Sequence, residues 1–127
     1  MASHASSVTL RLPARLSSVA EARHAVQDTC QHLRGDTVSD ATLLVSELVT
    51  NSVLHVGGMI TVAIECEEDR VAIAVGDSST DEPVVRNPDP DDPHGRGMRL
   101  VDSVAARWGW RPATDGEGKT VWFSLPG

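Results

Sequence analysis

Apolar and polar residues alternate along the chain in two rhythms, one of strands and one of helices. Val8, Leu10 and Leu12 alternate with Thr9 and Arg11, the period-2 mark of a half-buried strand, and Pro13 ends it. Ser18 and Glu21 make a capping-box signature, after which Val19, Ala22, Val26, Cys30 and Leu33 recur at helical spacing up to Gly35. A second helix is predicted over 40–56. Ala41, Leu44, Val45, Leu48, Ser52 and His55 share its period, Thr37 and Asp40 can cap its start, and Gly57-Gly58 stops it. Two further alternating runs, Met59–Cys66 and Arg70–Val75, flank a turn at 67–69 and should pair as an antiparallel hairpin.

From Gly76 to His94 the rhythm disappears into a stretch rich in proline and aspartate. A connection this long inside a small domain is functional or disordered. Gly95-Arg96-Gly97 then leads into a third helix over 98–108, marked by Met98, Val101, Val104 and Ala105. A strand starts at 108–112, a turn follows at 115–118, and Lys119–Leu125 closes the chain as a strand. This order predicts a two-layer α/β (α+β) sandwich: a mixed, largely antiparallel sheet with three helices on one face and the other face partly exposed. With no repeats and no second composition regime, a single domain is expected over 7–127, after a loose tail at 1–6.

Composition narrows the picture. A chain of 127 residues can bury one core without disulfide or metal staples. Its 40% hydrophobic and 3% aromatic content means that core is built from Val, Leu, Ile and Ala. A formal charge of −7 argues against nonspecific binding to nucleic acid or to an anionic membrane. No segment approaches the roughly 20 apolar residues of a membrane span, and the first residues lack the features of a signal peptide. A cytoplasmic protein with no direct nucleic-acid or membrane partner is expected. Cys30 and Cys66 lie in no CxxC pattern and lack ligand-spaced histidines, so two buried thiols are expected rather than a zinc site.

Three features could carry chemistry. Glu47 and Asn51 stand four residues apart, about 40° around a helix, where a carboxylate and a carboxamide could hold a divalent ion or orient an attacking hydroxyl or water. The same pair also suits an ordinary exposed polar stripe. Asp77 follows a strand of Val and Ala, where it can form a turn or accept from an exocyclic amine such as that of adenine. Gly95-Arg96-Gly97-Met98 at a helix start either forms a tight loop or brings backbone N–H groups and the helix dipole to an anion, with Arg96 adding a charge-assisted contact. Neither a Walker loop nor a GxGxxG fingerprint occurs.

In this order and at these separations, the features resemble the GHKL (Bergerat-fold) ATPases, in their compact branch of anti-sigma-factor serine/threonine kinases. The N-box looks like ELVTNSVLH (Glu47 to His55). The first glycine box corresponds to Asp77 and the residues after it, the second to Gly95-Arg96-Gly97-Met98, and the final adenine-contacting threonine to Thr120 in GKTVWFSL. The resemblance runs from about Leu10 to the end.

It implies that Asn51 ligates Mg²⁺, which bridges the phosphates of ATP, and that Glu47 is the general base toward a serine hydroxyl or water. Asp77 would accept from the adenine amine with Thr120 in support. Gly95, Arg96, Gly97 and Met98 would wrap the phosphates, with His55 either near them or capping its helix. The segment holding Asp89, Asp91 and Asp92 would be the lid. A sigma factor and an anti-sigma-factor antagonist protein are the implied partners, and a homodimer through the open sheet face or first strand is expected. The chain is too short for the phosphoacceptor hairpin of a sensor histidine kinase. One departure stands out: the first box, Asp77-Ser78-Ser79-Thr80-Asp81, has no glycine, which Ser79 accommodates only where φ is negative. That departure favours a second reading, a nucleotide-gated partner-switching module without turnover.

Overall fold

Strand alternation decides which side of the sheet is covered, and the helices follow from it. In the computed structural model, which describes residues 5–80, 83, 96–113 and 117–127, the elements are β1 (Ser6–Pro13), α1 (Ser17–Thr29), α2 (Gly35–His55), β2 (Met59–Cys66), β3 (Arg70–Asp77), α3 (Arg96–Val104), β4 (Arg107–Pro112) and β5 (Lys119–Pro126). The strands form one sheet in the order β1-β2-β3-β5-β4. All its pairings are antiparallel, as the largely antiparallel sheet of the expected sandwich requires, with no parallel pair among the described strands. The reason is the place of β5. The β3–α3–β4 crossover joins two strands that run the same way, and β5 inserts between them, so no parallel neighbours meet.

The apolar set of each strand falls on one face. Leu12, Ile60, Val62, Ile64, Val71, Ile73, Val75, Val121, Phe123 and Leu125 are buried there. Ala22 and Val26 of α1, Leu44, Val45, Leu48 and Val49 of α2, and Val101 of α3 complete the core above them. In the helix layer, α1 lies over β1 and β2, α2 over β3 and β5, and α3 beside β4. On the opposite face Thr9, Ala63, Ala74, Trp122 and Gly109 are in register across all five strands. The indole of Trp122 lies so close to Gly109 that a Cβ there would come within 2.8 Å of the ring.

Both expected capping boxes give way to other bonds, one local and one long-range. Leu16 occupies the N-cap of α1 with no side-chain cap, and the Ser18 hydroxyl donates instead to the Pro13 carbonyl at 2.6 Å. Helix α2 begins at Gly35, earlier than predicted. There Asp36 Oδ1 accepts the Thr37 N–H at 2.9 Å while the Thr37 hydroxyl donates to the Pro126 carbonyl at 3.1 Å, tying the helix to the end of β5. The C-terminal stop is where the sequence puts it: Gly57 and Gly58 take φ of 79° and 74°, which residues with a Cβ avoid. Helix α3 ends at Val104 rather than 108. Trp108 belongs to β4 and donates its indole N–H to Asp102 at 2.9 Å.

The expectation of two free thiols is corrected. Cys30, just past α1, and Cys66, at the end of β2, form a disulfide with their Cα atoms 5.7 Å apart. Their separation of 36 residues hides a proximity that arises because α1 packs on β2. Among the described residues no helix is long and apolar enough to cross a membrane.

Phe123 is fully buried at the centre of β5, between β3 and β4. Phe123→Ala is expected to lower unfolding stability by about 3–5 kcal/mol, read as a fall in urea midpoint at unchanged slope.

Candidate functional site

The sheet end at which β3 finishes and β5 begins gathers the polar side chains. Asp77 ends β3 on the helix-covered face, continuing the inward set of Val71, Ile73 and Val75. Its carboxylate, 8% exposed, is met from three segments. Ser52 of α2 donates its hydroxyl to Oδ2 at 2.7 Å, the backbone N–H of Ser79 donates to Oδ1 at 3.0 Å, and the Lys119 ammonium of β5 sits 3.1 Å from Oδ1. Gly118, at φ 142°, lets the chain entering β5 come this close, since a Cβ there would run into the Asp77 carbonyl oxygen.

A carboxylate offers about four lone-pair positions, two on each oxygen. Among the described residues, three donors occupy three of them: Oδ1 is filled and Oδ2 keeps one. The remainder is a single acceptor position in a largely buried setting, suited to one N–H of a ligand.

Glu47 and Asn51 are half-buried on α2, about two turns and one turn before its end. Val38, Ser39, Thr42, Leu43 and Ser46 line the groove that α2 shares with Arg23 and Gln27 of α1. The helical pitch puts Glu47 and Asn51 on the other edge of the buried arc, away from α1 and on the side where α3 packs. Ser52, the neighbour of Asn51 on α2, is the residue that touches Asp77, and α3 packs against the same helix. His55 is exposed as the last residue of α2.

Helix α3 opens at Arg96, with Gly97 and Met98 in its first turn, where backbone N–H groups lack partners inside the helix. The Met98 side chain is 8% exposed and belongs to the core. Gly95 and the expected lid with Asp89, Asp91 and Asp92 lie outside the described residues, as does Asp81 of the first box.

Thr120 lies on the other face of the sheet from Asp77. It pairs with Gly76, and its hydroxyl oxygen would lie 3.4 Å from a Cβ built on that glycine, so it stands on the open face, opposite to the Asp77 carboxylate. Lys119, the register partner of Asp77, takes the inward position. Ser52 and Lys119 were both missed as site residues. The signal for Lys119 was present: Val121, Phe123 and Leu125 point inward, so period 2 sends Lys119 inward and Thr120 outward. The glycine-free box also has a local explanation. Ser79 caps Asp77 through its amide, and no described residue other than glycine has a positive φ.

A family model described as the histidine kinase-like ATPase domain matches residues 12–125. Among solved structures, the chain is similar to one described as the RsbU and RsbW domains of Rv1364c from Mycobacterium tuberculosis. The TM-score is 0.71 at 15% identity, over 94% of this chain and 32% of that one. The chain therefore spans about a third of that neighbour's length, and at this identity the likeness is one of fold. No curated protein matches the chain.

The Asp77–Lys119 pair is 8% and 13% exposed, so removing one partner leaves a buried charge without its counter-ion. Asp77→Ala is expected to cost about 3 kcal/mol of stability. The Asp77→Ala/Lys119→Met double variant should recover most of that loss, a coupling read by urea denaturation of wild type, both single variants and the double variant.

Proposed function

The chain belongs to the histidine kinase-like ATPase domain family, and from that premise we propose that it is a Mg²⁺-dependent ATP-binding serine/threonine protein kinase acting as an anti-sigma factor. It would hold a sigma factor and transfer the γ-phosphoryl group of ATP to a serine of an antagonist protein. The observation that carries the reading is the Asp77 carboxylate, with one open acceptor position beside the helix of Glu47 and Asn51. The donor set fits the group. An exocyclic amine needs one such acceptor. A hard cation needs oxygen donors, which Asn51 supplies in part and phosphate and water complete.

Bound there, Mg²⁺ and ATP supply the transferable phosphoryl group and neutralise its charge. The protein's own residues do the rest. Asp77, fixed by Ser52, Ser79 and Lys119, accepts from the base amine and sets the nucleotide's depth. Asn51 would hold the metal through its carboxamide oxygen. Glu47, one turn earlier, takes the proton from the attacking serine hydroxyl. Gly95, Arg96, Gly97 and Met98 offer backbone N–H groups, and Arg96 a charge, to the phosphates at the start of α3. His55, the last residue of the N-box helix, would serve near the phosphates or cap that helix. A homodimer through the open sheet face or β1 and a cytoplasmic site of action belong to the same reading.

The glycine-free first box favours a second reading, in which ATP binding gates partner exchange without turnover. Calorimetry with Mg²⁺ and ATP, together with phosphate transfer to a candidate antagonist, separates the two. On the kinase reading Glu47→Ala keeps ATP binding within about twofold and loses transfer by about 10²–10⁴-fold. Binding by the wild type with no transfer to any antagonist would leave the gated module. Asn51→Ala should remove the Mg²⁺ dependence of binding, measured by repeating the titration with EDTA.

A further inference from the structure

In the proposed activity Lys119 serves only to hold Asp77 in place. Strand alternation delivers its side chain to the helix-covered face, where it is 13% exposed. An ammonium has three N–H donors. Among the described residues it meets one acceptor, Oδ1 of Asp77 at 3.1 Å. Among the described residues two donors therefore remain, beside a carboxylate whose Oδ2 keeps one acceptor position. Acceptor and donor stand side by side, 42 residues apart in sequence and adjacent in the β3–β5 register.

That arrangement complements a ligand edge on which an amine adjoins an unprotonated ring nitrogen. Adenine has this pattern on both sides of its 6-amino group, at N1 and at N7. Guanine puts a carbonyl where the amine would be, and that carbonyl would face Oδ2. We infer that Lys119 is a specificity-determining residue: its ammonium donates to the ring nitrogen flanking the amine that Asp77 accepts, so two residues of opposite polarity read the base. The inference rests on the adenine-nucleotide reading above. A hydrogen bond from a charged donor to a buried acceptor discriminates by about tenfold or more.

The test is calorimetric titration of wild type, Lys119→Met and Lys119→Gln with ATP, 1-deaza-ATP, 7-deaza-ATP and GTP, each with Mg²⁺, with thermal melts to establish folding. Wild type is expected to bind one of the two deaza analogues about tenfold more weakly than ATP, and GTP more weakly still. Lys119→Met should bind that analogue and ATP equally, while Lys119→Gln, which keeps an N–H donor, should retain part of the gap. Equal wild-type affinity for ATP and both analogues would overturn the inference and leave the nucleotide reading intact. That comparison needs no variant to fold. A gap that persists in full in folded Lys119→Met would overturn it equally. Failure of wild type to bind any of the four nucleotides would overturn the underlying reading along with it.

Discussion

A carboxylate largely removed from water has to be met by donors, and at Asp77 those donors come from three separate parts of the chain. Ser52 arrives on the middle helix, the Ser79 amide on the loop leaving β3, and Lys119 on the last strand. Neither Ser52 nor Lys119 reaches Asp77 unless α2 packs on β3 and β5 lies beside β3 in the observed register. The site and the fold are therefore one construction. Inserting β5 between β3 and β4 completes the sheet and also brings a cation to the strand end that carries the acid.

Much of this was legible in the sequence where local chemistry decides. Met59–Cys66 has its full extent written in alternation, and Gly57-Gly58 marks the end of α2 because both adopt positive φ. The order of elements, the three-helix layer and the Asp77 strand end follow from periodicity alone. Local reasoning failed where another backbone carbonyl competed for the hydroxyl. Ser18 and Thr37 look like caps, yet Pro13 and Pro126 offer their hydroxyls carbonyl acceptors that only the folded chain supplies. Cys30 and Cys66 meet through helix-on-sheet packing, which spacing does not encode. Thr120 is a different case. A resemblance pointed to the threonine, while the period-2 pattern of its own strand pointed to Lys119.

The loop after Asp77 clarifies the contribution glycines would make there. Ser79 already turns the chain back onto the carboxylate by donating its amide to Oδ1, a local Asx-type bond that needs no left-handed residue. Glycine is thus not required to make this turn. Its absence changes how closely backbone can approach a ligand, because Ser78 and Ser79 bring side chains to the rim of the site. The Ser78 hydroxyl oxygen would lie 3.6 Å from a Cβ at Gly58, so the α2–β2 turn forms part of the same rim.

The pairing of Asp77 with Lys119 is not explained by stability. Two charges taken out of water recover roughly what their desolvation costs, and a well-packed apolar pair of similar volume would serve the fold as well or better. A neutral donor at the position of Lys119 would also satisfy Oδ1 at less desolvation cost. The ammonium differs from such a donor in two respects: it holds the carboxylate with a full charge, and it retains N–H groups to direct elsewhere. Both differences bear on a ligand rather than on the sheet. Among the described residues, a largely buried acid keeps one acceptor position and its cation keeps donors, so the β3–β5 register sets what this pair can offer as much as it sets the architecture.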